Sequence, residues 1–474
     1  MPTACFFLSL QYFIVKQLQE KIMSGKKKYQ HGDTAWFLRD RFGMFIHWGL
    51  YSMPARHEWI RNKEAIQDED YQIYFDLFDP DMFQPQEWAR AAKNAGMKYF
   101  VITAKHHEGF CLWDSKYTDY KATNTPAGRD LLREVIDAFR AEGLKVGLYY
   151  SLIDWHHPDF TLDILHPMTR HYTMPDEERN RINSTRDMAK YRKYMLDQIT
   201  ELLTEYGKID IMWFDFSYPQ TRDGKGKDDW GSEDIVALIR KLQPHVIIDN
   251  RLDLPEASDI VTPEQYTPKR GMTDADGNAV VWEGCQTFSG SWGYFRDEMS
   301  WKTPELCIQM LIHHVSRGGN MLMNVGPTAR GYIDDRAMSR LEAFGRWMKY
   351  HSRSIYNCTC APAEFEEPLD CRYTYNPETN RLYLHIFSWP HKKVVIPGIG
   401  DKIRYIQLLN DGSECRFSVK DGSAGTHMFE QGTPGDADVI LPEVKPDVAV
   451  PVLEIFLKKS GERSAGKIEQ NQLV

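Results

Sequence analysis

From Thr34 onward the apolar pattern switches repeatedly between short β-rich runs and longer stretches of helical period. Eight runs stand out: GMFIHWG (Gly43–Gly49), KYFVITAKHH (Lys98–His107), LKVGLYYS (Leu144–Ser151), IDIMWFDF (Ile209–Phe216), HVIIDNR (His245–Arg251), DIVTPEQ (Asp259–Gln265), VVWEGCQT (Val280–Thr287) and GNMLMNVGP (Gly319–Pro327). Between the first two, Trp88, Ala91, Ala92 and Ala95 fall at i, i+3, i+4 and i+7, after Pro85 and before Gly96. That spacing predicts a helix with one buried stripe. Leu132, Val135, Ile136 and Phe139 predict a second, and Met188 to Leu203 a third. Alternation of this kind is the mark of parallel βα units, and eight is the number that closes a barrel. The expected fold class is α/β, a (β/α)8-like (TIM) barrel. Its second half is expected to be irregular, because Arg251 to Asp259 leaves no room for a helix and Pro268–Asn278 is polar.

After a helix near Ala337–Tyr350 the period changes to short alternating runs: Arg381–Trp389, Lys393–Ile399, Ile403–Asn410, Asp438–Pro442 and Ala449–Lys458. Gly, Asp and Pro turns between them predict a small antiparallel β-sandwich. The chain therefore divides into an N-terminal extension (1–33), a barrel (34–355), a C-terminal sandwich (356–460) and a polar tail (461–474) expected to be disordered.

Bulk composition changes this picture little, but it narrows function. A net charge of −9 with one dense basic run, Lys26–Lys28, argues against a nucleic-acid or anionic-membrane surface. No stretch supplies the ~20 apolar residues of a spanning helix, so no membrane insertion is expected. Eight scattered cysteines without a CxxC pair signal neither a zinc cluster nor a disulfide framework. The apolar run Ala4–Val15 is broken by Ser9 and Gln11 and lacks the flanks of a signal peptide. This favours a cytoplasmic location, leaving a secreted or lysosomal type open, and leaves Met1 and Met23 as alternative starts. Thirteen Trp and twenty-four Tyr are enough to line a sugar site as well as a core.

Chemistry concentrates where the runs end. In KIDIMWFDFSY an almost wholly apolar strand terminates in one carboxylate, Asp215. The carboxyl ends of barrel strands are where catalytic groups stand. The other run ends carry His47, His106, His107, Tyr150, Arg251, Glu264 and Glu283. Each has an ordinary alternative, a satisfied core histidine or a capping carboxylate, and Trp59, Trp213 and Trp292 have packing as theirs. His106 and His107 are adjacent, so only one faces inward unless the strand breaks there. Of Tyr149 and Tyr150, the latter is the expected pocket residue. Two carboxylates among His, Tyr, Trp and Arg suit glycoside hydrolysis, where an acid and a nucleophile flank the anomeric carbon. No HxH ends the first run, so no metal is expected, and no cofactor is implied.

Eight segments, FGMFIHWG, HEW (His57–Trp59), AKHHEGF (Ala104–Phe110), GLYYSLIDWH (Gly147–His156), WFDF around Asp215, TPEQY (Thr262–Tyr266), WEGCQTFSGSWGY (Trp282–Tyr294) and NMLMNVGPTARG (Asn320–Gly331), resemble in order the α-L-fucosidases of glycoside hydrolase family 29. The resemblance implies a retaining, exo-acting hydrolase of terminal α-L-fucosyl residues, with a fucosylated glycan as its partner. It makes Asp215 the nucleophile. It implies fucose binding by His47, Glu58, Trp59, His106, His107, Tyr150 and Arg251, and a wall for the C6 methyl at Trp292; Trp213 is counted with the binding set. Glu264 is the first choice as acid/base and Glu283 the second. A non-catalytic fucose-binding barrel and an α-L-galactoside hydrolase are the alternatives. Linkage preference and oligomeric state are not legible.

Overall fold

A computed structural model describes residues 29–169, 173–422, 433–459 and 461–468. The Ala4–Val15 run and both candidate starts lie outside the described residues.

Seven parallel strands form one curled sheet: β1 (Phe42–Ile46), β2 (Tyr99–Lys105), β3 (Lys145–Ser151), β4 (Ile211–Asp215), β5 (Ile247–Ile248), β6 (Glu283–Thr287) and β7 (Asn320–Val325). Their order is β5-β4-β3-β2-β1-β7-β6. The strands read as near-continuous apolar runs because both faces are covered. Met44, Phe100, Leu148, Met212 and Met323 point outward into a core shared with the helices. Phe45, Val101, Tyr149, Ile211, Trp213 and Leu322 fill the concave side.

The helices follow the predicted stripes. Pro85–Asn94 buries Trp88, Ala89, Ala91 and Ala92. Leu131–Ala141 starts at Asp130, whose carboxylate accepts from Arg133 N–H at 2.9 Å, an N-cap worth about 1 kcal/mol. It stops before Gly143, whose φ of +82° is one an L side chain resists.

Seven of the eight predicted runs are strands, and the sixth is not. Asp259–Gln265 lies between the sheet's two edges, its Asp259 N–H bonding Ile248 O on one side and Val261 N–H bonding Val281 O on the other. Pro263 has no N–H to give, so the segment makes isolated bridges, Val261 to Trp282 and Glu264 to Cys285, in place of a ladder. The observed architecture is therefore a curled parallel sheet whose edges meet across an irregular segment.

The C-terminal part packs two antiparallel sheets, in the orders β11-β14-β9-β8 and β10-β13-β12, over one apolar core. β9 (Arg381–Ile386), β10 (Lys393–Ile396), β11 (Ile403–Leu408), β13 (Ala437–Ile440) and β14 (Val452–Leu457) match predicted runs; β8 (Cys371–Asn376) and β12 (Phe417–Val419) were not anticipated. Trp347 ties this part to the helix Asp335–His351, its indole N–H donating to Val450 O at 2.8 Å. The tail expectation is corrected for residues 461–468: Ala465 N–H bonds Arg404 O and Ile468 N–H bonds Phe417 O, so this stretch runs along the sandwich.

Candidate active site

Strand alternation sets what faces the concave side. On β4 the residues Ile211, Trp213 and Asp215 share one face, which carries Asp215 to the carboxyl mouth. β3 pairs with β4 so that Tyr149 lies beside Trp213 and Ser151 beside Asp215. The rings of Tyr149 and Trp213 stack at 5.6 Å, and the Tyr149 hydroxyl donates to Asp215 Oδ2 at 2.7 Å.

Tyr150 is a correction. It is on the opposite face, buried against the helix Met188–Glu205, where its hydroxyl donates to Gln198 Oε1 at 2.8 Å. The residue that meets Asp215 is Tyr149; taking the last aromatic of the strand in place of the one in phase with Asp215 caused the error.

Arg251, in the tight turn after β5, joins the two carboxylates of the mouth. Its Nη1 is 3.0 Å from Asp215 Oδ1 and its Nη2 is 3.2 Å from Glu264 Oε2. Burial pushes the Asp215 carboxyl up to about 6; Arg251 opposes this, the Glu264 charge adds to it and the Tyr149 hydroxyl opposes it. For Arg251 burial works downward, yet Asp215, Cys285 and Glu264 hold it above its ordinary value. Glu264 is the more open of the pair, its side chain 46% exposed against 14% for Asp215.

Glu283 is the second correction. It opens β6, in register with Asn320 at the start of β7, and accepts from the hydroxyl of Tyr99 at the start of β2. It is buried at the amino end of the sheet, the length of a strand from the mouth, where burial pushes it up to about 7 against the pull of Tyr99 and Trp213.

The histidines gather around Tyr149. A register shift between Thr103 and Lys105 breaks the period of β2. Lys105 turns outward to Asp154 at 3.0 Å, and both following histidines stay at the mouth. The His106 ring stacks on Tyr149 at 5.7 Å, and His107 Nε2 is 3.8 Å from Asp215 Oδ2. His47, just past β1, lies 5.7 Å from the Tyr149 ring and 5.2 Å from Trp292. Burial keeps all three neutral, His47 down at about 3 and the adjacent pair well below the usual value.

Glu58 is buried and works through the loop opposite. Its Oε2 accepts from the backbone N–H groups of Trp292 at 3.1 Å and Gly293 at 2.9 Å. Burial raises its pKa against those bonds. Trp59 packs edge-on against His107 at 4.9 Å and beside Phe216 at 5.2 Å. A cavity of about 490 Å³ opens between Glu58, Trp59, Phe216, Arg251, Glu264 and Trp292.

Backbone strain marks the same places. His57 before Glu58, Phe216 after Asp215 and Gln265 after Glu264 have φ of +114°, +82° and +48°. Non-glycine residues held so cost roughly 1–3 kcal/mol each and cluster at functional sites. Tyr149, Ser151, Phe216 and Asn324 were missed as site residues. For the first two, what identifies them is the phase of β3 against Trp213 and Asp215, which the register with β4 sets.

The chain matches the family model for alpha-L-fucosidase over residues 14–353. It is 30% identical to the plasma alpha-L-fucosidase of Rattus norvegicus over 398 residues, 75% of this chain and 78% of that protein. Its structure resembles alpha-L-fucosidase isoenzyme 1 from Paenibacillus thiaminolyticus with a TM-score of 0.81 and 43% identity, covering 90% of this chain and 99% of the other. It also resembles an alpha-L-fucosidase from Bacteroides thetaiotaomicron trapped as a covalent intermediate with 2-fluoro-fucosyl fluoride (TM-score 0.76, 27% identity, 92% and 98% coverage).

Proposed function

The chain belongs to the alpha-L-fucosidase family and is a glycoside hydrolase of that activity, and we propose that it cleaves terminal α-L-fucosyl residues from fucosylated oligosaccharides or glycoconjugates by a double displacement in which Asp215 is the nucleophile and Glu264 the acid/base. The observation that carries this reading is the single guanidinium of Arg251 shared by the two carboxylates. It favours the ionised form of Asp215 at the start of the cycle, despite burial. Asp215 then attacks the anomeric carbon while Glu264 gives its proton to the leaving oxygen. The ester on Asp215 is hydrolysed when Glu264 takes a proton from water, and the two inversions together retain configuration.

Selectivity is assigned to the walls. His47, His106, His107, Trp59, Trp213, Tyr149 and Arg251 surround the place where the sugar ring would sit beside Asp215, and Glu58 acts by holding Trp292. An apolar wall at Trp292 against a C6 methyl favours fucose over its hydroxylated counterpart by about 1–3 kcal/mol. We also read Asp259–Gln265 as taking the remaining strand place of a (β/α)8-like barrel spanning 34–355, with 356–460 as the sandwich domain. The seven described cysteines are unpaired thiols, six of them buried, which supports a cytoplasmic site of action; cell fractionation decides it.

The test is release of 4-nitrophenol from its α-L-fucoside, with azide present. Asp215→Ala should lose hydrolysis and regain turnover as an inverted glycosyl azide; Glu264→Ala should yield the retained azide. Full activity of Glu264→Ala on a natural fucoside removes the acid/base assignment.

A further inference from the structure

His47 and His107 each make one hydrogen bond through Nδ1, and in both cases the partner's other bonds fix its direction. Asn324 on β7 lies between His47 and the Trp292 carbonyl. Its Nδ2 donates to that carbonyl at 2.6 Å, and its Oδ1 faces His47 Nδ1 at 2.7 Å. A flipped amide would set two acceptor oxygens against each other at the first of these distances, so the amide oxygen must face the ring. His47 Nδ1 is then the donor.

Ser151, the last residue of β3, has one hydroxyl proton. It goes to the Ile153 carbonyl, 2.7 Å away, which can only accept. The hydroxyl oxygen in turn accepts from Ile153 N–H at 3.1 Å and stands 2.7 Å from His107 Nδ1. That nitrogen is again the donor. Both rings are buried and neutral, so each has one proton and it is already placed. Nε2 of either ring has no hydrogen-bond partner among the described residues; the Asp215 carboxylate, 3.8 Å from His107 Nε2, is beyond hydrogen-bond reach. His106 is the contrast, since its Nδ1 is buried with no partner to choose its tautomer among the described residues.

We infer that Asn324 and Ser151 are positioning residues that lock His47 and His107 as Nδ1–H tautomers, so that both rings meet the sugar as hydrogen-bond acceptors. What they select is a hydroxyl hydrogen at two positions of the glycosyl ring. A fluorine or an ether oxygen there offers nothing to a bare Nε2, whatever its size. The nature of the ligand rests on the fucoside reading above; the tautomers do not.

The experiment is a long-range proton–nitrogen correlation spectrum of the full, ligand-free chain labelled with 15N-histidine at neutral pH, with His47→Gln and His107→Gln assigning the two rings. The expected wild-type result is a protonated Nδ1 and an unprotonated Nε2 in both. Ser151→Ala should disturb the His107 pattern and leave that of His47 unchanged. An Nε2–H tautomer or an imidazolium at either ring in the wild type overturns the inference. Competitive inhibition by L-fucose and its monodeoxy and deoxyfluoro analogues supplies the second readout. At the two positions read by the rings, both replacements should weaken inhibition about 10-fold and agree within about 2-fold, because neither can donate. Deoxyfluoro sugars that keep their affinity where deoxy sugars lose it would mean donating rings and contradict it. No inhibition by L-fucose, with both rings Nδ1–H, would overturn the fucoside reading and sustain the tautomers.

Discussion

Replacing Tyr149 by Phe separates the face that meets Asp215 from the face that does not. The substitution removes one oxygen, 2.7 Å from Asp215 Oδ2, and leaves a ring that still stacks on Trp213. A hydrogen bond to an ionised group contributes about 1.5–3 kcal/mol, and all of it favours the carboxylate over the acid. Asp215 already lies at about 6, so losing this bond lifts the acid limb of kcat/KM by about 1 to 2 pH units. At pH 6 the ionised fraction, and with it the rate, falls roughly 5-fold to 50-fold; at pH 9 most of that loss disappears. The direction is fixed: the nucleophile must be ionised, so activity is lost as pH falls through its pKa, and raising the pKa starts the loss earlier. Tyr150→Phe is the control. It breaks only the bond to Gln198, so it should leave the limb in place and lower stability by about 1–3 kcal/mol. An unmoved limb in Tyr149→Phe, or a moved one in Tyr150→Phe, refutes the reasoning.

Glu283→Gln should keep activity within about 3-fold and gain nothing from azide, since the residue is at the amino end of the sheet, where its carboxylate accepts from the Tyr99 hydroxyl; a loss rescued by azide would bring Glu283 back as acid/base. Glu58→Ala frees the loop that carries Trp292 and leaves buried N–H groups unpaired, so KM should rise roughly 10-fold or more with kcat changing less; an unchanged KM would remove its role in holding the wall. Lys105→Met leaves Asp154 buried without its partner at 3.0 Å, and chemical denaturation should show a loss of about 3–5 kcal/mol, much of it recovered in Lys105→Met with Asp154→Leu. Equal stability of the single variant and the wild type would contradict that.

Much of this arrangement was legible along the chain, for reasons that differ by element. Long apolar runs such as MWFD have few ways to hide both faces, so a parallel sheet under helices followed directly, and so did the placing of Asp215 at a strand end. The sixth run was misjudged because Ile260 and Val261 look β-rich, while Pro263 two residues later withdraws a ladder donor. β8 and β12 were overlooked because CRYTYN and FSV offer few apolar positions to count. The 461–468 stretch bonds through backbone groups, which its polar side chains do not announce. Phase was the harder matter. Choosing between Tyr149 and Tyr150, or allowing both His106 and His107 at the mouth, required the register against β4 and the shift at Thr103–Lys105. Glu283 looked like a strand-end residue only because Val280–Trp282 were counted in the strand that it begins. Asn324 and Ser151 act through hydrogen-bond direction, which residue type alone does not reveal.

The most direct test of Asp215 as nucleophile is incubation of the wild-type chain with 2-fluoro-fucosyl fluoride, followed by intact mass measurement and peptide mapping. The account predicts time-dependent inactivation with one 2-fluorofucosyl group on the peptide carrying Asp215, fragmenting to that carboxylate, and no labelling of Asp215→Ala. A label on Glu264, Glu58 or Glu283, or inactivation with Asp215 left unmodified, would contradict it.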